Sequence, residues 1–424
     1  MSRKTTRVRY EKLVPVDSFI GTYLSYMDQQ ETSYAYDFWT ACYLLSIAIG
    51  RGTVVNRPRA PVYLNLYLIL VAESGVTRKS SSIKEAVRFA RPLCETTPLL
   101  IESKITPELL LTRLHEQGKK YGTGYTAIAI SELVTFMGRE KYVEAMPTLL
   151  TDLYDCPELR SPGGSISAGG QTLRNVFVSF LSASTPSWLL RAVNPDVIEG
   201  GFTSRVLFIV SEVPKRLNSW PEAGDEDAVE RIRTQLISIK DKSREISSIE
   251  INETARRTFD RWYKTRVRGR DAFRSSFQSR EDAHVLRLAA LLCINDGTWC
   301  IQNSHITSAI KIITQVREDG ASIFEGTGNN SRLVIGIDKL RDKLLAAGQS
   351  GLPQTDLTKA VAMFMNAEHM KAALAIMHEL QMVQKFENIQ VARGRPVTIW
   401  RGTSELGKSK ALDRIIEQHS PEAR

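Results

Sequence analysis

Residues with phosphate-binding chemistry lie between positions 72 and 82, where the chain reads AESGVTRKSSS after the apolar run VYLNLYLILV. Backbone N–H groups and a lysine at a helix N-terminus bind phosphate, and an adjacent Ser or Thr hydroxyl binds Mg²⁺. Gly75, Lys79 and Ser80 have these residue types, so we predict a nucleotide-binding loop after a buried strand. The residues expected to contact phosphate are Ser74, Gly75, Val76, Thr77, Arg78, Lys79, Ser80 and Ser81.

Two positions of this loop depart from the usual spacing. G-x-x-x-x-G-K-[ST] would place glycines where this chain has Glu73 and Arg78. A glycine before the lysine lets the backbone approach phosphate, but a larger residue can adopt the same backbone with its side chain pointing away. The alternative interpretation is a Lys-Ser helix start that binds no ligand.

A second apolar run, AIAISE (127–132), ends in Ser131 and Glu132. A P-loop ATPase needs a metal-binding group and a group that activates water at the end of such a strand. We therefore predict that Glu132 is the general base. Ser131 stands where an aspartate usually holds Mg²⁺ through water. The alternative is a solvated glutamate at the edge of the sheet.

Two further stretches carry candidate catalytic residues. FLSASTPSWL (180–189) places Ser184 and Thr185 at a strand end, where ligands bind in open α/β folds. Either hydroxyl would sense the γ-phosphate or orient water. EGGFTSRVLFIV (199–210) places Arg205 at a strand start, where we expect an arginine finger that reaches a neighbouring subunit's site. The alternative for Arg205 is an ordinary surface arginine.

The elements that must position these residues alternate along the chain. Helical stretches separate apolar runs at 62–72, 98–103, 125–131, 175–184 and 204–212. This alternation predicts a parallel sheet covered by helices on both faces. From 213 to 325 the pattern is helical without a strand signal. Three helices and a hairpin (382–400) then follow in winged helix-turn-helix order.

The motifs together resemble the RecA/AAA-type ATPases of phages and mobile elements, a helicase-like, often primase-associated family of unknown function. The resemblance covers about residues 35 to 320 and rests on LNLYLILVAESGVTRKSSSIKEA, AIAISELVTFMGREKYVEAMPTLLTDLYDCPE, VSFLSASTPSWL, GGFTSRVLFIVSE and HVLRLAALL. That family tolerates an arginine before the loop lysine and SEL at the second motif, which implies a real site for ATP and Mg²⁺.

The implied fold class is α/β: a P-loop NTPase sheet of RecA/AAA type with a helical N-terminal region, a helical lid and a C-terminal winged helix. The predicted domains are 1–60 (helical region with a basic arm), 61–212 (ATPase core), 213–328 (lid), 329–403 (winged helix) and 404–424 (polar tail).

REDAHVLRLAAL resembles, more distantly, the lid of the minichromosome-maintenance helicases. There an arginine contacts the γ-phosphate and another follows seven residues later, a spacing shared by Arg280 and Arg287. The resemblance implies that both contact nucleotide, and the alternative is an amphipathic helix with both arginines facing solvent. A site completed by a neighbour's arginine implies a homo-oligomeric ring, most often a hexamer.

A net charge of +9 and a pI of about 9.2 favour a polyanionic partner, which we expect to be single-stranded or duplex DNA. Arg393 and Arg395 flank the predicted wing tip, where cations grip phosphates or enter a minor groove. Arg174 ends a glycine-rich hairpin (161–174), and RKTTRVRYEK (3–12) is expected to be a flexible phosphate-binding arm. The alternatives are a protein-binding winged helix and a solvent-facing hairpin.

Several classes of protein are disfavoured. Five cysteines without C-x-x-C spacing argue against a disulfide framework and a zinc site. The longest apolar runs are shorter than the roughly 20 residues that span a bilayer. The N-terminus lacks the apolar segment of a secretory signal. We therefore expect a cytoplasmic protein without a membrane partner. No primase or nuclease metal cluster is apparent, so priming would belong to a separate primase or other replication protein.

The sequence thus predicts an ATP-dependent DNA motor, a replicative helicase-like ATPase of a phage or mobile element. Two alternatives remain open. One is an ATP-gated loader or initiator that hydrolyses slowly, which Glu73, Arg78 and Ser131 favour. The other is a DNA-binding regulator whose nucleotide domain controls oligomerisation.

Overall fold

A computed structural model describes residues 7–95, 97–137, 145–160, 172–192, 201–220, 225–267, 269, 271–324, 329–362, 367–389, 397–404 and 406. The chain divides into two compact units, Met1–Ile323 and Phe324–Arg424. Within the described ranges, no helix is both long enough and apolar enough to cross a bilayer.

The first unit begins with α1 (Phe19–Met27), α2 (Tyr34–Ile49), β1 (Val54–Val55) and β2 (Val62–Tyr63). Ser33 caps α2 by accepting a hydrogen bond from the backbone N–H of Tyr36. Every residue of α2 from Tyr36 to Ile49 is buried, so this helix lies inside the core of the unit rather than on its surface.

The central sheet and its helices follow in alternation. Its elements are β3 (Tyr67–Val71), α3 (Lys79–Leu93), β4 (Leu99–Ile101), α4 (Pro107–Tyr121), β5 (Tyr125–Ile130), α5 (Leu133–Met137), α6 (Ala145–Tyr154), β6 (Leu159–Arg160), β7 (Leu173–Arg174), β8 (Phe177–Ser184), α7 (Pro186–Ala192), α8 (Phe202–Arg205) and β9 (Leu207–Val210).

Five of these strands form a parallel sheet in the order β4-β5-β8-β3-β9. Every residue of β3, β5 and β8 is buried, as expected for a parallel sheet covered on both faces. β8 lies between β3 and β5, so the strand before the loop and the strand before Glu132 are separated by one strand. β6 and β7 pair antiparallel as the base of a hairpin outside this sheet.

The lid region contains more strand than the sequence predicted. Its elements are α9 (Glu226–Glu245), β10 (Ser248–Ile251), α10 (Glu253–Thr265), α11 (Ala272–Gln278), α12 (Glu281–Asn295), β11 (Cys300–Ile301) and α13 (Asn303–Phe324). β10 and β11 join β1 and β2 in a second sheet of order β11-β10-β1-β2. The prediction that the lid contains no strand was therefore wrong. The prediction of a single strand over 62–72 was also wrong, because β2 and β3 belong to different sheets.

The second unit has the predicted order of three helices and a β-hairpin. Its elements are α14 (Asn329–Ala347), β12 (Leu352–Pro353), α15 (Gln354–Val361), α16 (Ala367–Glu379), β13 (Val383–Ile389) and β14 (Val397–Gly402). The strands pair antiparallel in the order β12-β14-β13, and buried side chains such as Leu344, Leu357, Leu374 and Trp400 form its core. The predicted α/β class with a parallel sheet is confirmed, as is the winged-helix order of the second unit. Arg393 and Arg395 lie outside the described residues.

The prediction that residues 3–12 form a flexible arm is wrong for the described residues of this segment, 7–12. Val8 and Tyr10 are buried, and the ring of Tyr10 lies 5.0 Å from that of Phe38 on α2. The backbone N–H of Val8 donates to Gln315 Oε1 at 2.6 Å. Apolar side chains between the basic residues thus fix this segment against the first unit.

Candidate nucleotide-binding site

The loop between β3 and α3 has two residues with left-handed backbone conformations, Gly75 (φ 80°) and Arg78 (φ 42°, ψ 43°). A Cβ built on Gly75 would meet nothing within 4 Å, so the space beside this residue is open. Arg78 adopts the conformation for which glycine is normally selected, immediately before Lys79. The loop therefore bends as a glycine would allow, although no glycine is present at position 78.

The side chain of Arg78 points away from the loop to Glu31. Its Nε and one terminal nitrogen each lie 2.9 Å from Glu31 Oε2. The other carboxylate oxygen of Glu31 accepts from the backbone N–H of Asn218 at 3.0 Å. These bonds, the one from Asn218 first, lower the pKa of Glu31. Arg78 thus links the loop to two neighbouring segments and leaves its phosphate side unobstructed.

Lys79 is bound to the start of its own loop. Its Nζ donates to the backbone carbonyl oxygens of Ala72 at 2.6 Å and Glu73 at 3.0 Å. Partial burial lowers the pKa of Lys79, and the nearby Glu73 carboxylate opposes that shift. A phosphate oxygen in the loop would offer this ammonium group a charged acceptor in place of neutral carbonyls.

The hydroxyl of Tyr36, on the buried helix α2, connects the loop to two strands. It donates to the carbonyl of Val71 at 2.8 Å, lies 3.4 Å from that of Ser211, and is 3.3 Å from Thr77 Oγ1. Thr77 is fully buried, so its side chain faces the protein rather than the open side of the loop. If Thr77 contacts phosphate as predicted, the contact is therefore made by its backbone N–H and not by its side chain.

A segment that we call the strap, residues 211–220, leaves β9 and runs beside the loop. Lys215 forms a buried ion pair with Asp37 of α2 and also bonds Thr32. Burial raises the pKa of Asp37 to about 6, although Lys215 acts in the opposite direction. Asn218 binds Glu31 as described above, so the strap is fixed along the flank of the loop.

The ends of β3, β5 and β8 form one edge of the sheet. Val71 pairs with Ser184, and Ile130 pairs with Ser182, so the three strands end at neighbouring positions. Ser131 and Glu132 follow β5 directly, are exposed, and precede α5. The structure thus brings the loop, Ser131, Glu132 and Ser184 to this carboxyl edge.

The two hydroxyl candidates at the end of β8 differ in their surroundings. Ser184 is buried, and its hydroxyl donates to the carbonyl of Thr185 at 3.3 Å. Thr185 Oγ1 accepts from the backbone N–H of Trp188 at 3.3 Å and so caps α7. Thr185 therefore has a structural role alongside the predicted catalytic one.

Arg205 lies at the opposite edge of the sheet, since it is two residues before Leu207, the first residue of β9, which pairs with Leu68 near the start of β3. Its guanidinium donates to the carbonyl of Gly201 at 2.9 Å and to Asp155 Oδ2 at 3.2 Å. Only 12% of its side chain is exposed, so Arg205 is not the ordinary surface arginine of the alternative interpretation.

The two lid arginines contact residues at the amino edge of the sheet. Arg280 donates to both oxygens of Asp155, at 2.8 and 3.1 Å. Arg287 is buried and donates to the carbonyl of Tyr63 at 2.8 Å and to the hydroxyl of Tyr154 at 2.6 Å. The alternative of two solvent-facing arginines is therefore wrong for Arg287, whose buried contacts stabilise the core.

His284, on α12, supports the segment that carries Arg205. Its Nε2 donates to the carbonyl of Ser204 at 2.9 Å, and its Nδ1 faces the Tyr154 hydroxyl at 3.5 Å. Burial, followed by repulsion from Arg287, lowers the pKa of His284 to about 3, so the ring is neutral at physiological pH.

Arg174 is exposed at the base of the β6–β7 hairpin, where Leu159 pairs with it. The carbonyl of Arg174 accepts from the N–H of Gly124, just before β5, which places it at the same amino edge as Arg205. The hairpin tip, 161–171, lies outside the described residues.

The carboxyl edge fits a Mg²⁺ ion that is held partly by nucleotide. Mg²⁺ commonly takes one or two protein oxygens and completes its octahedron with phosphates and water. Ser80 and Ser131 hydroxyls are exposed at this edge. In the described part of the chain, no group of three or more His, Cys, Asp or Glu residues could hold a metal, so the donor set is not a protein cage.

No protein-family model and no curated protein matches this chain. Among solved structures, an Aeropyrum pernix ORC1 protein in complex with DNA is similar at 11% identity and a TM-score of 0.21, covering 89% of this chain and 90% of that one. An Aeropyrum pernix ORC2 protein in ADPNP–ADP complexes is similar at 10% identity and a TM-score of 0.26, covering 92% and 93%. Function is therefore argued from the site itself.

Sequence reasoning missed three residues beside the loop, Glu31, Tyr36 and Lys215, and one at the amino edge, Asp155. Each acts through a partner from a distant segment, such as the pair of Lys215 with Asp37. The spacing of residues along the sequence does not predict such long-range pairs. The one available signal was Asp37, the single acidic residue of the otherwise apolar helix α2, which indicates a cationic partner such as Lys215.

Proposed function

We propose that this protein binds and hydrolyses ATP and uses the cycle to act on DNA as a homo-oligomer. One observation carries this proposal. Lys79, Glu132 and Ser184 share the carboxyl edge of the sheet, whereas Arg205 lies at the amino edge. The nucleotide site of a single chain therefore lacks an arginine finger, because its own Arg205 is at the other edge of the sheet. A second copy of the chain would supply Arg205 to this site.

Within this proposal each side chain has a defined task. Lys79 exchanges the carbonyls of Ala72 and Glu73 for phosphate oxygens, and the hydroxyl of Ser80 holds Mg²⁺, which neutralises phosphate charge. Glu132 accepts a proton from the water that attacks the γ-phosphorus, as the bond to the β–γ bridging oxygen breaks. Ser184 or Thr185 orients that water, and Arg205 of a neighbouring copy stabilises the departing charge.

The DNA part of the proposal rests on charge and architecture. The chain carries a net charge of +9, and its second unit has the element order of a winged helix. Arg174 lies on β7, whose pairing with β6 is at the sheet's amino edge. We assign Arg174, Arg393 and Arg395 to contacts with DNA phosphates. The specific activity that we propose is that of a helicase-like motor of a phage or mobile element. It would work as a ring, together with a separate primase or other replication protein.

Steady-state ATP hydrolysis tests this function, first with Glu132→Gln. Removing the base should lower turnover by about 10²- to 10⁴-fold while ATP affinity changes little, because the amide keeps the shape of the side chain. Lys79→Ala should abolish both binding and turnover. The matched control is Glu116→Gln, an exposed glutamate paired with Arg113 on α4, which should behave as the unaltered protein.

The second candidate is a slowly hydrolysing ATP-gated loader or initiator. Ser131 favours it, because a hydroxyl is a weaker ligand for Mg²⁺ than a carboxylate. ATP binding without turnover in the unaltered protein, with or without DNA, would establish this candidate in place of the motor. DNA-stimulated turnover that Glu132→Gln removes would exclude it.

A further inference from the structure

Two arginines from different elements converge on one carboxylate at the amino edge of the sheet. Arg280 donates to Asp155 Oδ1 at 2.8 Å and to Oδ2 at 3.1 Å, and Arg205 donates to Oδ2 at 3.2 Å. Asp155 follows α6, Arg205 precedes β9 and Arg280 precedes α12. Three segments distant in sequence therefore build this cluster.

The cluster has an excess of positive charge. The guanidinium of Arg205 lies 5.8 Å from the ring centre of Tyr154, and that of Arg287 lies 4.8 Å from the same ring. With Arg280, three arginines thus lie around Tyr154 and Asp155, and two of them, Arg205 and Arg280, contact the Asp155 carboxylate. Such a site attracts a group that carries more negative charge than one carboxylate.

Arg205 is held in place by a second contact, whereas Arg280 and the Asp155 carboxylate are accessible to solvent. Arg205 is tied to Gly201, and its Nε is buried without a hydrogen-bond partner. Arg280 is 34% exposed and Asp155 is 52% exposed. An exposed ion pair is weak because water and salt screen it, so an arriving anion competes with Asp155 at small cost.

We propose that Arg205 and Arg280 form a phosphate-binding pair and that Asp155 occupies it until a nucleotide on another copy of this chain arrives. A guanidinium binds carboxylate and phosphate with the same two-point geometry. A terminal phosphate offers more charge and a third oxygen, so it displaces the carboxylate. Asp155 is thus an internal competitor that weakens assembly of the composite site. This inference rests on the proposed function and adds its regulation.

A mixing experiment with full-length chains tests it. One chain carries Lys79→Ala and can supply arginines but binds no nucleotide. The other carries Arg205→Ala and Arg280→Ala, so it binds nucleotide but supplies no arginines. Each should be inactive alone, and their mixture should hydrolyse ATP. Adding Asp155→Asn to the Lys79→Ala chain should lower the concentration of that chain that gives half-maximal turnover by about 3- to 10-fold.

Two controls separate competition from a structural role. Asp155→Asn in the nucleotide-binding chain should change nothing, because its arginines are already absent. Asp241→Asn in the Lys79→Ala chain removes a carboxylate from an exposed pair with Arg244 and should also change nothing. Asp155→Ser must reproduce the effect of Asp155→Asn, and melting curves check that both variants fold.

The outcomes distinguish the two proposals. A mixture that is inactive at every ratio overturns the composite site and this inference with it. An active mixture whose half-maximal concentration is unchanged or raised by Asp155→Asn leaves the proposed function standing and overturns the competition. A higher half-maximal concentration would mean that Asp155 orients the two arginines instead of competing with phosphate.

Discussion

Arg78 combines a backbone conformation that suits glycine with a side chain that only a long cation could provide. Its φ of 42° bends the loop toward Lys79, and its guanidinium reaches Glu31 on the flank. A glycine at this position would supply the bend but could not tie the loop to the turn after α1. The departure from the usual spacing therefore preserves the loop's shape and adds a tether.

Replacing Arg78 separates these two effects. Arg78→Gly removes the tether and relieves the left-handed strain, whereas Arg78→Ala removes the tether and keeps the strain. We expect Arg78→Ala to be less stable than Arg78→Gly by about 1 kcal/mol in denaturant unfolding. ATP affinity of Arg78→Gly should stay within about threefold of the unaltered protein, as measured by calorimetry.

Glu31→Gln is the matched control, because it weakens the same tether without touching the loop backbone. Equal stability of Arg78→Gly and Arg78→Ala would contradict a left-handed backbone conformation at position 78. If Arg78→Gly alone loses ATP affinity, the guanidinium contacts nucleotide after all.

At the scale of elements, helix α12 determines where Arg205 lies. His284 bonds the carbonyl of Ser204, and Arg287 binds both Tyr154 and the carbonyl of Tyr63 before β3. The lid is therefore built into the amino edge of the sheet through buried polar contacts. Because burial of an unpaired polar group is costly, this network fixes one arrangement of the edge.

The neutral state of His284 gives the protein a predictable response to acid. Its pKa is about 3 in the folded protein but 6.5 when exposed, so only the unfolded chain binds this proton between those values. Stability should therefore fall as pH falls from about 6.5 toward 3, by up to about 5 kcal/mol. Urea unfolding between pH 7 and pH 5 should show a shallower decline in His284→Gln than in the unaltered protein.

His305→Gln is the control, since His305 lies beside Asp296 in the same region but has no such network with Arg205. Equal pH slopes for His284→Gln and the unaltered protein would contradict the buried neutral imidazole.

Long, regular elements could be predicted from the sequence, and short, non-local ones could not. Continuous apolar runs such as YTAIAI identified the parallel strands, because burial on both faces leaves a clear pattern. β1 and β11 have two residues each, too few to show any period, and their partners lie far along the chain. The loop was visible as a motif, whereas the Asp155 cluster depends on side chains that meet only after folding.

At the scale of the whole molecule, the chain has two units with separate cores, which permits a truncation test. Removing residues 330–424 deletes the winged-helix unit and leaves the loop, the sheet and the arginine cluster intact. We expect basal ATP hydrolysis to survive while DNA affinity falls and its dependence on salt becomes flatter, because fewer phosphates are neutralised. Fluorescence anisotropy at several salt concentrations measures both quantities.

Arg174→Ala in the full-length chain complements this truncation, since it removes one cation from the hairpin of the first unit. It should reduce the salt slope by about one unit. Unaltered DNA binding after truncation would move the contact surface to the first unit.

The burial of α2 has a practical consequence for dividing the protein. The predicted ATPase core, 61–212, would lack Tyr36, whose hydroxyl joins Val71 to Ser211, and would also lack both partners of the buried Asp37–Lys215 ion pair. Cutting the gene at residue 60 would remove a helix from the middle of the hydrophobic interior and expose β3 and β9. The smallest recombinant fragment suited to crystallisation with nucleotide therefore begins near the N-terminus and extends through α13.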